Sequence, residues 1–166
     1  DFRDPDSAPV QMRGINLIGM IEGSDGGDDV IVAAAHFDHL GVGEAGEIFN
    51  GADDNASGVA ALLAAADALS QQAPENDVMF VAFDAEEGGL NGARAFMENP
   101  PVEAERIAFN LNLDMVGYSP DGDLWAVGTY HYPVLEPIIA RIAEDAAVEL
   151  KVGFDRPTEN RRDDWT

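Results

Sequence analysis

Six side chains stand where a folded chain could use them together: His36, Asp38, Asp53, Glu86, Glu87 and Asp114. Each lies at the C-terminal end of an apolar run or in the turn after one, and a sheet gathers such ends along a single edge. The sequence has no cysteine, which excludes disulfides and thiolate metal sites and leaves imidazole and carboxylate as the strong ligands. One histidine among several carboxylates suits zinc, manganese or cobalt in a catalytic setting, and a shared carboxylate suits two ions roughly 3.5–4 Å apart. Such a pair acidifies a water and polarises a carbonyl at once, so hydrolysis is the natural reaction.

The individual motifs carry different weight. GADDNASG, residues 51–58, puts adjacent carboxylates into a glycine-bounded turn that leads into an Ala/Leu-rich helix. Asp54 or Asn55 can cap that helix, and the other carboxylate, Asp53, is then read as binding a cation; the bland alternative is an Asp-rich surface turn. His36 ends the run DVIVAAAH, and Asp38, two residues on, can turn its carboxylate toward the same imidazole and fix its orientation. His39 is given no metal role. Glu86 and Glu87 follow the run DVMFVAF; neighbours in an extended segment point opposite ways, so one can ligate a metal while the other works on a water. Asp114, close to the end of RIAFNLNLDMV, needs a partner if buried. His131 stands in a loop with nothing nearby to orient it and is not taken as a ligand, and Trp125 reads as packing.

The elements that position these groups follow from the apolar pattern. Residues 14–22 read as β-like, whereas 29–36 and 77–83 are unbroken apolar runs of the kind that form strands buried on both faces. Residues 106–116 and 123–129 supply further strands, with a short one at 151–154. A helix over 56–71 carries Val59, Leu62, Leu63, Ala66 and Leu69 on its inner face. A short helix is expected over 90–98 and another helix over 133–150, the latter turning Val134, Ile138 and Ile142 inward. Alternating strands and helices with acids at strand ends indicate a three-layer α/β domain. Residues 1–13 read as a linker or irregular lead-in, 14–166 as the catalytic domain, and 155–166 as a polar tail without a closing element.

Composition limits the partners. With 166 residues and 46% hydrophobic content the chain can bury one core. Thirty-two acids against nine bases give a net charge of −23, which argues against nucleic acid and anionic lipid as partners. No apolar run is long enough to insert into a membrane. The chain begins with Asp1 in place of Met and reads as a processed or excised piece; a secreted or periplasmic location is expected.

Taken in order, HFDHLG, GADDNASG, FDAEEGGLNGA and NLDMVG resemble the co-catalytic di-zinc aminopeptidases, the family of bacterial leucyl aminopeptidases and, more distantly, glutamate carboxypeptidase. The resemblance runs from about Asn16 to Gly117. It implies an α/β/α sandwich around a mixed, mostly parallel sheet, C-terminally incomplete in this chain, and a peptide substrate cleaved at its N-terminus. It further implies that His36 and Asp114 bind one zinc and Glu87 the other, that Asp53 bridges them, that Glu86 is the general base and that Asp38 orients His36. The peptide matching Asp53–Asp54 is often cis in that family. The family's second zinc takes a further histidine from a later segment, and His131 does not match its position. The expectation is therefore a fragment that binds one zinc in place of the two of the intact domain and has little activity. A carboxypeptidase or amidohydrolase on the same scaffold, or a non-catalytic binding relative, are the alternatives.

Overall fold

A computed structural model describes residues 13–153; the expected linker up to residue 12 and the polar tail from 155 lie outside the described residues. The chain divides into two compact units, one through Met115 and one from Val116.

The first unit holds a four-stranded mixed sheet. Its strands are β1 (Leu17–Ile21), β2 (Val30–His36), β3 (Asp77–Phe83) and β4 (Ile107–Asn112), in the order β1-β3-β2-β4. β1 runs antiparallel to β3, while β2 is parallel to both β3 and β4. The two apolar runs became the central strands because both of their faces are covered. Val30, Val32 and Ala34 pack with Met79, Val81 and Phe96 on one face; Ala33 and Ala35 pack with Val78, Phe80 and Leu62 on the other. The alternation along β2 and β3 thus feeds two half-cores. Phe96 comes from helix α2 (Asn91–Glu98) and Leu62 from helix α1 (Gly58–Gln71), so a helix lies on each face and the unit has three layers. Within α1, Val59, Leu62, Ala66 and Leu69 face the sheet as expected, whereas Leu63 is 65% exposed. It lies on the flank of the stripe, beyond the reach of the sheet.

β4 departs from the expectation of a buried strand over 106–116. It ends at Asn112, forms an edge, and leaves Phe109 and Leu111 exposed. The parallel register still matters most for the site. His36 pairs with Phe83 and Ala34 with Asn112, so the segments that follow β2, β3 and β4 leave the sheet along one edge. The opposite edge is tied by Arg106, whose guanidinium donates to the Asp28 carbonyl at 2.8 Å and lies 3.3 Å from Asp77.

The second unit is a small βαβ arrangement in which β5 (Asp123–Ala126) and β6 (Glu149–Val152) run parallel, with helix α3 (Glu136–Asp145) between them in sequence. The helix expected over 133–150 is shorter, because Ala146 turns to extended backbone and Glu149 already belongs to the strand expected from Lys151. Val134, Ile138 and Ile142, expected to face inward, are exposed. Asp123 accepts from Ser119 and pairs with Lys151 at 2.5 Å across the two strands. Lys151 and Ser119 hold the Asp123 carboxyl below the usual carboxylate range, and the same contact raises the Lys151 ammonium. No helix among the described residues is long and apolar enough to cross a membrane.

Candidate metal centre

The site is built where the three parallel strands end. His36, the last residue of β2, is 3% exposed. Its Nδ1 lies 3.1 Å from the Asp38 main-chain carbonyl, an oxygen that can only accept, so Nδ1 carries a hydrogen and Nε2 faces the acids. Nε2 is 3.1 Å from Asp54 Oδ1 and 3.6 Å from Asp114 Oδ1. Asp114 Oδ1 is buried and makes no hydrogen bond, an unusual state for a carboxylate oxygen unless something absent from the protein chain is meant to meet it.

Asp54 turns its second oxygen the other way. Oδ2 lies 3.8 Å from His39 Nδ1, which donates to Glu87 Oε1 at 2.8 Å. Two three-donor groups therefore share one carboxylate: His36, Asp54 and Asp114 form the first, and His39, Asp54 and Glu87 the second. Donors bound to one zinc at about 2.0–2.2 Å in tetrahedral array stand roughly 3.3–3.6 Å apart. The pairs of 3.1 and 3.6 Å in the first group, and of 2.8 and 3.8 Å in the second, bracket that spacing.

The carboxylate between the groups is that of Asp54, where Asp53 was expected. Asp53 belongs to neither group, and its carbonyl accepts from the Ser57 hydroxyl at 2.7 Å. The turn explains the shift. Asp54 and Asn55 have non-helical backbone angles and are joined by a cis peptide, one residue beyond the expected Asp53–Asp54 bond. Asn55, 2% exposed, does the capping: its Oδ1 accepts from the Gly58 amide at 3.1 Å. The same oxygen accepts from Met115 N at 3.2 Å, and Nδ2 donates to Leu113 O at 3.0 Å. These last two bonds flank Asp114, so one buried amide ties the Asp54 turn to the end of β4. Gly58 allows that approach, since a Cβ there would stand 2.3 Å from Leu113 O.

Asp38 also differs from expectation. Its carboxylate lies on the Nδ1 side of His36 but at 3.6 Å, outside hydrogen-bonding range, and the imidazole is oriented by the Asp38 carbonyl. The carboxylate instead accepts from the amides of Glu86 at 2.9 Å and Glu87 at 3.2 Å. It thereby fixes the loop after β3 against the loop after β2. Ala85 and Met115, next to Glu86 and Asp114, have φ of 55° and 49°. Left-handed backbone at non-glycine residues is held only where surroundings enforce it, as they do at functional sites.

Crowded acids set the electrostatics. Burial alone would lower the His36 pKa, but the adjacent Asp114 together with Glu86 and Asp54 raises it to about 9. Burial, reinforced by Glu87, Asp114 and Asp38 and opposed by His36, raises the Glu86 carboxyl. Asp54 and His39, to which the sequence reading gave no metal role, are the members it missed, and Asn55, one of its two candidate caps, is the one that caps. The signal for Asn55 was its place directly before Ala-Ser-Gly at the helix start, and for His39 its spacing of three from His36.

Comparison with known proteins agrees with this architecture. Residues 16–166 match Peptidase family M28. Aminopeptidase YwaD of Bacillus subtilis (strain 168) is 35% identical over 92 residues, which cover 55% of this chain and 19% of that protein. The structure of BSAP, a zinc aminopeptidase from Bacillus subtilis, aligns with a TM-score of 0.62 at 26% identity over 81% of this chain and 33% of that one. A Zn-dependent exopeptidase from Parabacteroides distasonis shares the fold, with a TM-score of 0.62 at 20% identity over 85% of this chain and 57% of that one. The matched region is about a fifth of the length of the curated relative. Because the family match spans residues 16–166, well over half of the sequence, the chain belongs to peptidase family M28.

Proposed function

We propose that the protein is a zinc-dependent exopeptidase that removes residues from peptide N-termini, with two cations sharing Asp54. The observation that carries this reading is the Asp54 carboxylate, which offers one oxygen to the His36 and Asp114 side and the other to the Glu87 side. The residues fit such ions: the donors are imidazole and carboxylate, their spacings bracket a tetrahedral shell, and Asp114 Oδ1 is a buried acceptor without a donor. His36, Asp54 and Asp114 would hold one ion, and Asp54 and Glu87 would contribute to the other. Zinc there supplies Lewis acidity, polarising a carbonyl and lowering the pKa of a water toward about 7.

The chain's own groups do the rest. Glu86 is the base: it takes a proton from the attacking water as oxygen adds to the scissile carbonyl carbon, then delivers it to the amine as the C–N bond breaks. Asp38 holds the Glu86 amide, so the base and the Glu87 ligand are set by one carboxylate. The acids that surround the site favour a substrate that brings a free amino group. Turnover of amino-acid p-nitroanilides should vanish on chelation and return with zinc. Glu86→Gln should retain its metal yet lose roughly 100- to 10,000-fold in kcat. Activity that survives exhaustive chelation, or a near-normal Glu86→Gln, would overturn the reading.

A further inference from the structure

We propose that Asn16, the residue directly before β1, is a positioning residue for the Glu86 base, an inference that rests on the hydrolase reading above and adds no metal ligand to it. Glu86 sits in the loop between β3 and α2, residues 84–90. The Asn16 side chain joins the two ends of that loop: Oδ1 accepts from Asp84 N at 3.1 Å and Nδ2 donates to Gly92 O at 2.8 Å. A main-chain amide can only donate and a carbonyl can only accept, so the two contacts together fix the orientation of the side chain. Asp84 completes the clasp, since its Oδ2 accepts from Ile15 N and its Oδ1 from Ala85 N, each at 2.8 Å.

Glu86 is bound into the ring that this clasp closes. Its carbonyl accepts from Gly89 N and Leu90 N, both at 2.8 Å, and Asn91 N donates to Ala85 O at 3.0 Å. Ala85 and Leu90 hold φ of 55° and 61°, angles that persist only where surroundings enforce them. Gly92 shows how tightly the ends meet: a Cβ there would stand 2.1 Å from Asp84 O and 2.5 Å from Asn16 Oδ1. The sheet does not depend on this side chain. β1 pairs with β3 through the backbone from Leu17 to Ile21, whereas both bonds of the Asn16 amide go to residues beyond the end of β3. Opening the clasp therefore frees the ends of the base-bearing loop, and a misplacement of about 1 Å can cost about 100-fold in rate.

The test is a double-mutant cycle with Glu86 in the intact, zinc-loaded enzyme, read as kcat and KM on amino-acid p-nitroanilides. Asn16→Leu, which keeps the size of the side chain and removes both bonds, should lose roughly 10- to 100-fold in kcat with KM unchanged within about twofold. In the Glu86→Gln background the same substitution should cost less than about twofold, because a residue that acts through the base then has nothing left to position. Asn16→Ala, which brings in no apolar bulk, should behave in the same way and takes the place of Asn16→Leu if that variant does not fold. A kcat within about twofold of the unsubstituted enzyme, or an equal loss in the Glu86→Gln background, would overturn the inference and leave the hydrolase reading standing. Absence of zinc-dependent turnover in the unsubstituted enzyme, or near-normal turnover by Glu86→Gln, would overturn both.

Discussion

Asn55→Ala removes no acid and no ligand, yet it is expected to disorganise the centre. The buried amide makes three hydrogen bonds: it accepts from Gly58 N at 3.1 Å and Met115 N at 3.2 Å, and donates to Leu113 O at 3.0 Å. The Gly58 bond is a helix cap, and losing an Asn cap to Ala costs about 1 kcal/mol. The other two are worth about 1 kcal/mol each net, more where a partner is left unsatisfied. Allowing for partial relaxation, urea unfolding of the metal-free chain should show a loss of about 2–4 kcal/mol. The bonds to residues 113 and 115 also hold Asp114 opposite Asp54, so zinc affinity at the His36 site should fall by about 10- to 100-fold, as for other groups that position ligands. A stability change below about 0.5 kcal/mol, the range of a neutral surface substitution, together with unchanged zinc affinity, would show that the β4 end and the Asp54 turn are aligned by something else.

Two further outcomes follow from the geometry. Asp54→Asn should abolish tight binding of both zinc ions, whereas Asp53→Asn should leave both affinities within a few-fold; zinc titration of the pair of variants decides between them, and the reverse ranking would restore Asp53 as the shared ligand. The second concerns the proton on His36, whose pKa is raised from 6.5 to about 9. In the metal-free chain that shift contributes stability fully present below about pH 6.5 and lost as pH rises through 9. Zinc must displace the proton, so its apparent affinity should rise with pH up to about 9 and then level off, with release of about one proton per first zinc at pH 7.5. Calorimetry in buffers of different ionisation enthalpy measures that release; none would mean that His36 does not ligate.

The long apolar runs were legible because a strand covered on both faces needs no polar alternation, and β2 and β3 are such strands. The ends of those runs then placed His36, Glu86, Glu87 and Asp114 along one edge. What the sequence did not decide was which of two adjacent acids faces inward. Asp53 and Asp54 have the same chemistry, and the choice depends on which residue caps α1; with Asn55 as the cap, Asp54 is the acid held next to it and turned toward His36. Asp38 was read as a partner of the imidazole because two-residue spacing permits that contact. It permits equally a carboxylate that reaches the Glu86 and Glu87 amides, and local spacing carries no information about a loop 48 residues away. The exposed β4 and the shortened α3 were misjudged for a related reason: apolar periodicity marks a face that can be buried, while burial depends on what packs against it.

Bonds to the backbone hold the centre together independently of its ions. Asp54, Glu86, Glu87 and Asp114 converge beside a single buried imidazole, while the Arg106–Asp77 pair serves the opposite edge of the sheet. Repulsion among these acids is offset by side-chain bonds to the backbone: the neutral Asn55 amide holds two of the three converging loops together, and the Asp38 carboxylate accepts from two amides of the third. Those bonds are independent of the metal, so they can preset the donors at separations close to a zinc shell and leave the charge to be neutralised on binding. A frame of this kind makes zinc affinity sensitive to a neutral residue such as Asn55.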